Sequence, residues 1–180
     1  IHQVATMLSL PQWRLGSGHL HFGDEPRLLI HLGQDLSRIM AQDEHFITFF
    51  QGGALMHALE VPLLSWQSLM GCFSQNGHSH IMDPDLQCFS EHLPIIVPYK
   101  HKKDESNLGS DLFTIIGVFS EMSTQHKEAS VLVSLVHLIK DTLCRYEHDL
   151  GVRLKELSID GDLAESQFFL QVLADLLQMG

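Results

Sequence analysis

The stretch STQHKEASVLVSLVHLIKDTLCRYEHDLGVRLKELSIDGD, residues 123–162, decides the fold class. Ser123 or Thr124 can cap a helix, because a hydroxyl at that position accepts a bond from a first-turn backbone N–H. Leu132, Leu135, Val136, Ile139, Leu143 and Tyr146 recur at three- and four-residue spacing, an apolar stripe that runs to about Leu150. Gly151 follows, the residue type that most readily ends a helix in a left-handed turn. Val152–Ile159 reads as a strand. Its inward set shifts phase between Leu154 and Leu157, which requires a bulge or a helical portion. Asp162 and Glu165 form a D-x-x-E capping box ahead of a further helix, from Leu163 to about Gln178. Helix, strand and helix in so short a span predict a mixed chain.

The N-terminal side extends that pattern. Gln12–Leu15 and His19–Phe22 flank Gly16, Ser17 and Gly18 and predict a hairpin. Gly23–Pro26 is a second turn, and Arg27–Leu32 a strand. Asp35 is expected to cap a helix through Leu36, Ile39, Met40, Ile47 and Phe50, broken at Gly52 and Gly53, with a short second helix over Ala54–Leu59. Leu63–Phe73 is expected to be helical and residues 74–85 to be loop. Ile95–Tyr99, between Pro94 and Pro98, suits a short edge strand. Leu112–Phe119 reads as a strand buried on both faces. The expectation is a single α/β (α+β) domain over residues 1–180. It has an N-terminal antiparallel hairpin or sheet, several packed helices, a long helix at about 124–150 and a C-terminal helix at about 163–178. The polar segment 100–110 is expected to be a mobile surface loop.

Composition excludes several function classes. The chain has 180 residues, 22 acidic side chains against 11 Lys and Arg, and a net charge of −11. Nucleic-acid binding needs cations on phosphates, and the cluster Lys100, His101, Lys102, Lys103 runs straight into Asp104 and Glu105. No apolar run approaches the roughly 20 residues of a membrane span. Three cysteines, Cys72, Cys88 and Cys144, are an odd and sparse set that favours a reducing cytoplasm.

Thirteen histidines raise the question of metal. His19-Leu20-His21 lies in an expected strand, where i and i+2 share a face. His78-Ser79-His80 is followed by Asp83 and Asp85 and flanked by Cys72 and Cys88. Neither set has the paired knuckles of structural zinc sites, so no metal and no other cofactor is expected. His78, His80 and Asp83 remain as the alternative, a metal-dependent hydrolase. Cys144 and His148 stand one helical turn apart beside the apolar stripe, which suits a core thiol. Gly16-Ser17-Gly18 lacks a following helix N-terminus to hold phosphate. Glu147, Asp149, Asp160 and Asp162 read as solvated carboxylates with no acid–base role.

Surplus apolar surface points to partners. In the last helix Phe169, Val172 and Leu176 form a second stripe beside Leu163, Leu170, Leu173 and Leu177. Phe46, Phe49 and Met56 supply a similar excess, and such surfaces mark interaction sites. With its acidity and its lack of catalytic motifs, the chain resembles, at the level of class, the small acidic chaperones and adaptors of bacterial secretion systems. That resemblance implies a non-enzymatic, cytoplasmic subunit of a larger assembly, binding a helical or extended protein segment within a hetero-oligomer. It implies no nucleic acid and no membrane insertion. A self-associating structural protein is the remaining alternative.

Overall fold

The structure, a computed structural model, describes residues 14–34, 45–70, 83–90, 93–99, 112–117 and 122–178. Its backbone forms two compact units. The first contains Ile1–Leu63, Ile139–Glu165 and Leu177–Gly180; the second contains Leu64–Leu138 and Ser166–Leu176. The fold is α+β.

In the first unit five strands make one sheet. They are β1 (Ser17–Phe22), β2 (Arg27–Gly33), β3 (His45–Gln51), β4 (Ala54–Pro62) and β7 (Glu156–Gly161), in the order β3-β4-β2-β1-β7. β7 runs parallel to β1, and the other neighbours are antiparallel. The hairpin sits one element later than the sequence predicts: β1 pairs with β2 across Gly23–Pro26, while Gly16 lies ahead of β1 with its N–H on the His31 carbonyl. The helices expected over 35–50 and 54–59 are corrected where the structure describes them, because β3 and β4 form a hairpin instead. Gly52 and Gly53 take φ of 58° and 81°, the two consecutive left-handed residues that a tight two-residue hairpin turn needs. Residues 35–44 lie outside the described residues.

The sheet's two faces differ in chemistry. Leu20, Phe22, Leu28, Ile30, Leu59 and Val61 share one face by register, and all are buried. Gly18 lies on the same side, and a Cβ there would meet Leu154 and Leu157 methyl groups within 3 Å. The opposite face carries Ser17, His19, His21, Arg27, Glu156, Ser158 and Asp160, together with a smaller apolar cluster of Leu29, Phe49 and Ala58. The phase shift at Leu154 is resolved simply. Residues 151–155 are irregular and β7 begins at Glu156, so Leu154 never joins the strand. Gly151 turns with φ 62°, and the Leu154 N–H donates to the Glu147 carboxylate at 2.7 Å.

The second unit is built around the start of a long helix. The helices are α1 (Trp66–Met70), α2 (Thr124–Leu150) and α3 (Gln167–Leu177); Thr124–Leu138 of α2 belongs to this unit and Ile139–Leu150 to the first. α2 has the predicted limits, with the Ser123 hydroxyl accepting from the His126 N–H. β5 (Ile95–Tyr99) pairs antiparallel with β6 (Leu112–Ile116) in a separate ribbon. β5 is seated on α2 by hydroxyls: Ser134 Oγ accepts from the Ile96 N–H at 2.8 Å and donates to the Ser130 carbonyl, while Ser130 Oγ donates to the Pro94 carbonyl. β6 is not buried on both faces as expected. Ile116 is 62% exposed, because a two-stranded ribbon has too few neighbours to cover both sides.

The C-terminal helix is shorter than predicted. Asp162–Glu165 is a 3₁₀ turn, and α3 starts at Gln167. Its cap is Ser166, whose hydroxyl accepts from the Phe169 N–H at 3.1 Å, reinforced by Asp83. Asp83 Oδ1 accepts from Ser166 Oγ and the Phe168 N–H, and Oδ2 accepts from the Gln167 N–H. A carboxylate at a helix N-terminus is favoured by the unpaired N–H groups and the dipole there. The expected loop at 100–110 lies outside the described residues. Among those described, no helix is long and apolar enough to cross a membrane.

Candidate functional site

The parallel strands β1 and β7 supply the site, through their polar face. Their register sets Ser17 beside Glu156, His19 beside Ser158 and His21 beside Asp160. At the amino end, Ser17 Oγ donates to Glu156 Oε1 at 2.5 Å, and the Arg14 guanidinium lies 3.4 Å from the same carboxylate. The Ser17 hydroxyl bond, with Arg14 behind it, holds the Glu156 carboxyl below its ordinary range.

Further along, Asp160 is shared by two imidazoles. Its Oδ1 accepts from His21 Nδ1 at 2.6 Å, and its Oδ2 lies 3.5 Å from His19 Nε2. His19 is 3% exposed, with Nδ1 2.8 Å from Ser158 Oγ. Burial pushes the His19 pKa down, and the Asp160 charge opposes that without cancelling it. Across β1, His21 pairs in register with Arg27 of β2. Arg27 donates to Glu60 from one guanidinium nitrogen and to Glu25 from another. The result is a row of polar and charged side chains, Asp160, His21, Arg27 and Glu60, across the four strands β7, β1, β2 and β4.

Two other histidines are packing residues. His31 is buried edge-on to the Phe49 ring, with centroids 5.7 Å apart, and its Nδ1 accepts from the Gly33 N–H. Burial lowers its pKa as well. His57 is buried with Nδ1 3.1 Å from Thr48 Oγ1. His19, His31 and His57, three of the thirteen histidines, are therefore buried in the sheet.

The sequence-predicted residues are dispersed by comparison. His19 and His21 do share a face, as the i, i+2 spacing requires, but they meet on a carboxylate. Among the described residues no group of three or more His, Cys, Asp and Glu can hold a metal ion. His78 and His80 lie outside the described residues, and Asp83 is committed to the cap of α3. Phe169 and Val172 are buried within the second unit and Phe49 within the first. Leu176, Phe46 and Met56 are half-buried. Cys88 and Cys144 form no disulfide. The sequence reading of Asp160 as a solvated carboxylate missed its two imidazole partners, and Ser158, Glu156 and Arg27 were not singled out. The available signal was period two: polar side chains at 17, 19 and 21 and again at 156, 158 and 160.

Comparison with known proteins separates fold from family. No family model matches the chain. Glycerol kinases of Bacillus cytotoxicus and Bacillus anthracis are 34% identical over 65 residues, which is 36% of this chain. The chain spans only 13% of the length of those relatives. A xylulose kinase from Rhodospirillum rubrum superposes with a TM-score of 0.67 over 99% of this chain and 36% of its own, at 13% identity. A Plasmodium falciparum glycerol kinase solved with ADP gives 0.64 over 90% of this chain and 34% of its own, at 17% identity. These likenesses overturn the resemblance to secretion chaperones. They overturn equally the expectation of a non-enzymatic adaptor, since the similar proteins are enzymes, and the hydrolase and structural alternatives fit no better, since those enzymes are kinases. What they establish for this chain is its fold, which is that of a segment of the carbohydrate kinases.

Proposed function

We propose that this chain is part of a carbohydrate kinase, which moves a phosphoryl group from a nucleoside triphosphate to a hydroxyl of a sugar or polyol. The observation that supports it best is the agreement of two independent comparisons. Backbone shape across 99% of the chain and sequence identity over 65 residues both lead to enzymes of this chemistry. The site is compatible in kind. Ligands of sheets with parallel strands gather at the carboxyl ends of those strands. Here those ends are Phe22–Gly23 and Gly161–Asp162, with His21 and Asp160 just behind. Because the chain spans about a third of its solved neighbours, the full reaction belongs to the larger protein in this reading. The same reading takes the protein to be cytoplasmic, in keeping with a sparse and odd set of three cysteines.

The test is phosphotransfer by the full chain. ADP release is followed with MgATP and a panel of polyols and ketoses that includes glycerol and xylulose. Release that depends on one of these acceptors is the expected result. ADP formation that no acceptor stimulates overturns the proposal.

A further inference from the structure

Asp160 occupies an unusual place. It is the last side chain of β7 before the strand ends at Gly161, and both its oxygens face imidazoles carried by β1. Gly161 has φ +85°, and a Cβ there would stand 2.0 Å from the Phe22 carbonyl oxygen. The ends of β1 and β7 thus touch backbone to backbone. Gly161 and Asp162 are exposed, so a ligand can approach the main chain of this turn closely. Gly23 serves the same arrangement for a different reason. Its backbone is not in the left-handed region, yet a Cβ would stand 2.7 Å from His21 Nε2. Glycine at 23 therefore leaves room for the His21 ring in the position where it meets Asp160. The turn after β7 is consequently set by two side chains of β1 as well as by its own residues.

We propose that His21, with His19 behind it, is a positioning residue that holds the turn Asp160-Gly161-Asp162, through the Asp160 carboxylate, in the shape that receives the nucleotide. The inference rests on the kinase reading for the identity of the ligand. The carboxyl rim of β1 and β7 is where a ligand of this sheet is expected. The N-terminus of α3, another place suited to an anion, already holds the carboxylate of Asp83. His21 does not touch the nucleotide in this scheme. It fixes Asp160, and Asp160 fixes the backbone that does.

Binding of a fluorescent ADP analogue to the full chain tests this, with KM for ATP and for the polyol measured alongside. His21→Leu removes the donor to Asp160 and is expected to weaken nucleotide binding about tenfold, the size of one charge-assisted hydrogen bond. KM for ATP should rise with it, while KM for the polyol stays put. His21→Gln, whose amide can still donate to Asp160, should recover most of the affinity. A purely structural role would move both KM values together and show no rescue. Unchanged nucleotide affinity in a folded His21→Leu protein overturns the clamp and leaves the kinase reading intact. Asp160→Ala is the second variant; if it fails to fold, the His21 pair decides, since that ring is 28% exposed. A parent protein that binds nucleotide without phosphotransfer overturns the kinase reading alone, and the binding series still decides the clamp. A parent protein that binds no nucleotide overturns both.

Discussion

Two glycines at nearly the same dihedral angle allow backbone strain to be separated from steric collision. Gly53 has φ +81° and open space where a Cβ would lie; Gly161 has φ +85° and the Phe22 carbonyl oxygen 2.0 Å from that point. Gly53→Ala should therefore cost only the left-handed penalty of an L-residue, about 1–2 kcal/mol. Gly161→Ala bears the same penalty and a collision with backbone. The obstructing atom belongs to β1, which is held by β2 on one side and by β7 on the other, so it cannot step aside cheaply. Overpacking of that kind adds roughly 1–3 kcal/mol. The expected total at position 161 is about 2–5 kcal/mol, against about 1–2 kcal/mol at position 53. Urea unfolding of both variants beside the parent, at constant slope, reads the difference. Equal losses at the two positions would refute the close approach of β1 and β7 that the site depends on.

The remaining predictions concern the histidines and the last helix. His19 and His31 have pKa values lowered by burial, so the unfolded chain binds protons more readily than the folded one. Their contribution is therefore whole above the unfolded value of about 6.5 and is lost as pH falls below it. Melting temperature should drop between pH 7.5 and 5.5, and His31→Leu should flatten that drop; a steeper drop in the variant would reverse the assignment. Phe169→Ala should cost about 3–5 kcal/mol by chemical denaturation, because the ring is wholly buried. Phe50→Ser, at a side chain 72% exposed, should stay within about 0.5 kcal/mol, and the reverse order would refute the placement of both.

These positions also show where sequence reasoning reaches its limit. The helix Thr124–Leu150 was legible end to end, because its stripe, its Ser123 cap and its terminating Gly151 are all local signals that agree. β5 between its prolines was legible for the same reason. The segment FITFF, residues 46–50, was not. Apolar side chains at 46, 47, 49 and 50 satisfy a helical face and a two-faced strand equally well, and periodicity cannot choose between them. The choice was made by Gly52 and Gly53 turning left-handed together and by β2 offering β4 a partner.

The site divides along the same line. That His19 and His21 share a face follows from strand geometry alone, so the sequence by itself determined it. That the shared face meets Asp160 depends on parallel pairing between residues 139 positions apart. Local pattern carries no information about that register, since Asp160 ahead of a glycine looks like any solvated turn carboxylate. Only the tertiary structure brought β7 beside β1. It did so because an apolar sheet face gains by burying Leu20 and Phe22 together, and the polar residues between them are then carried to the opposite face, where they must find partners in one another.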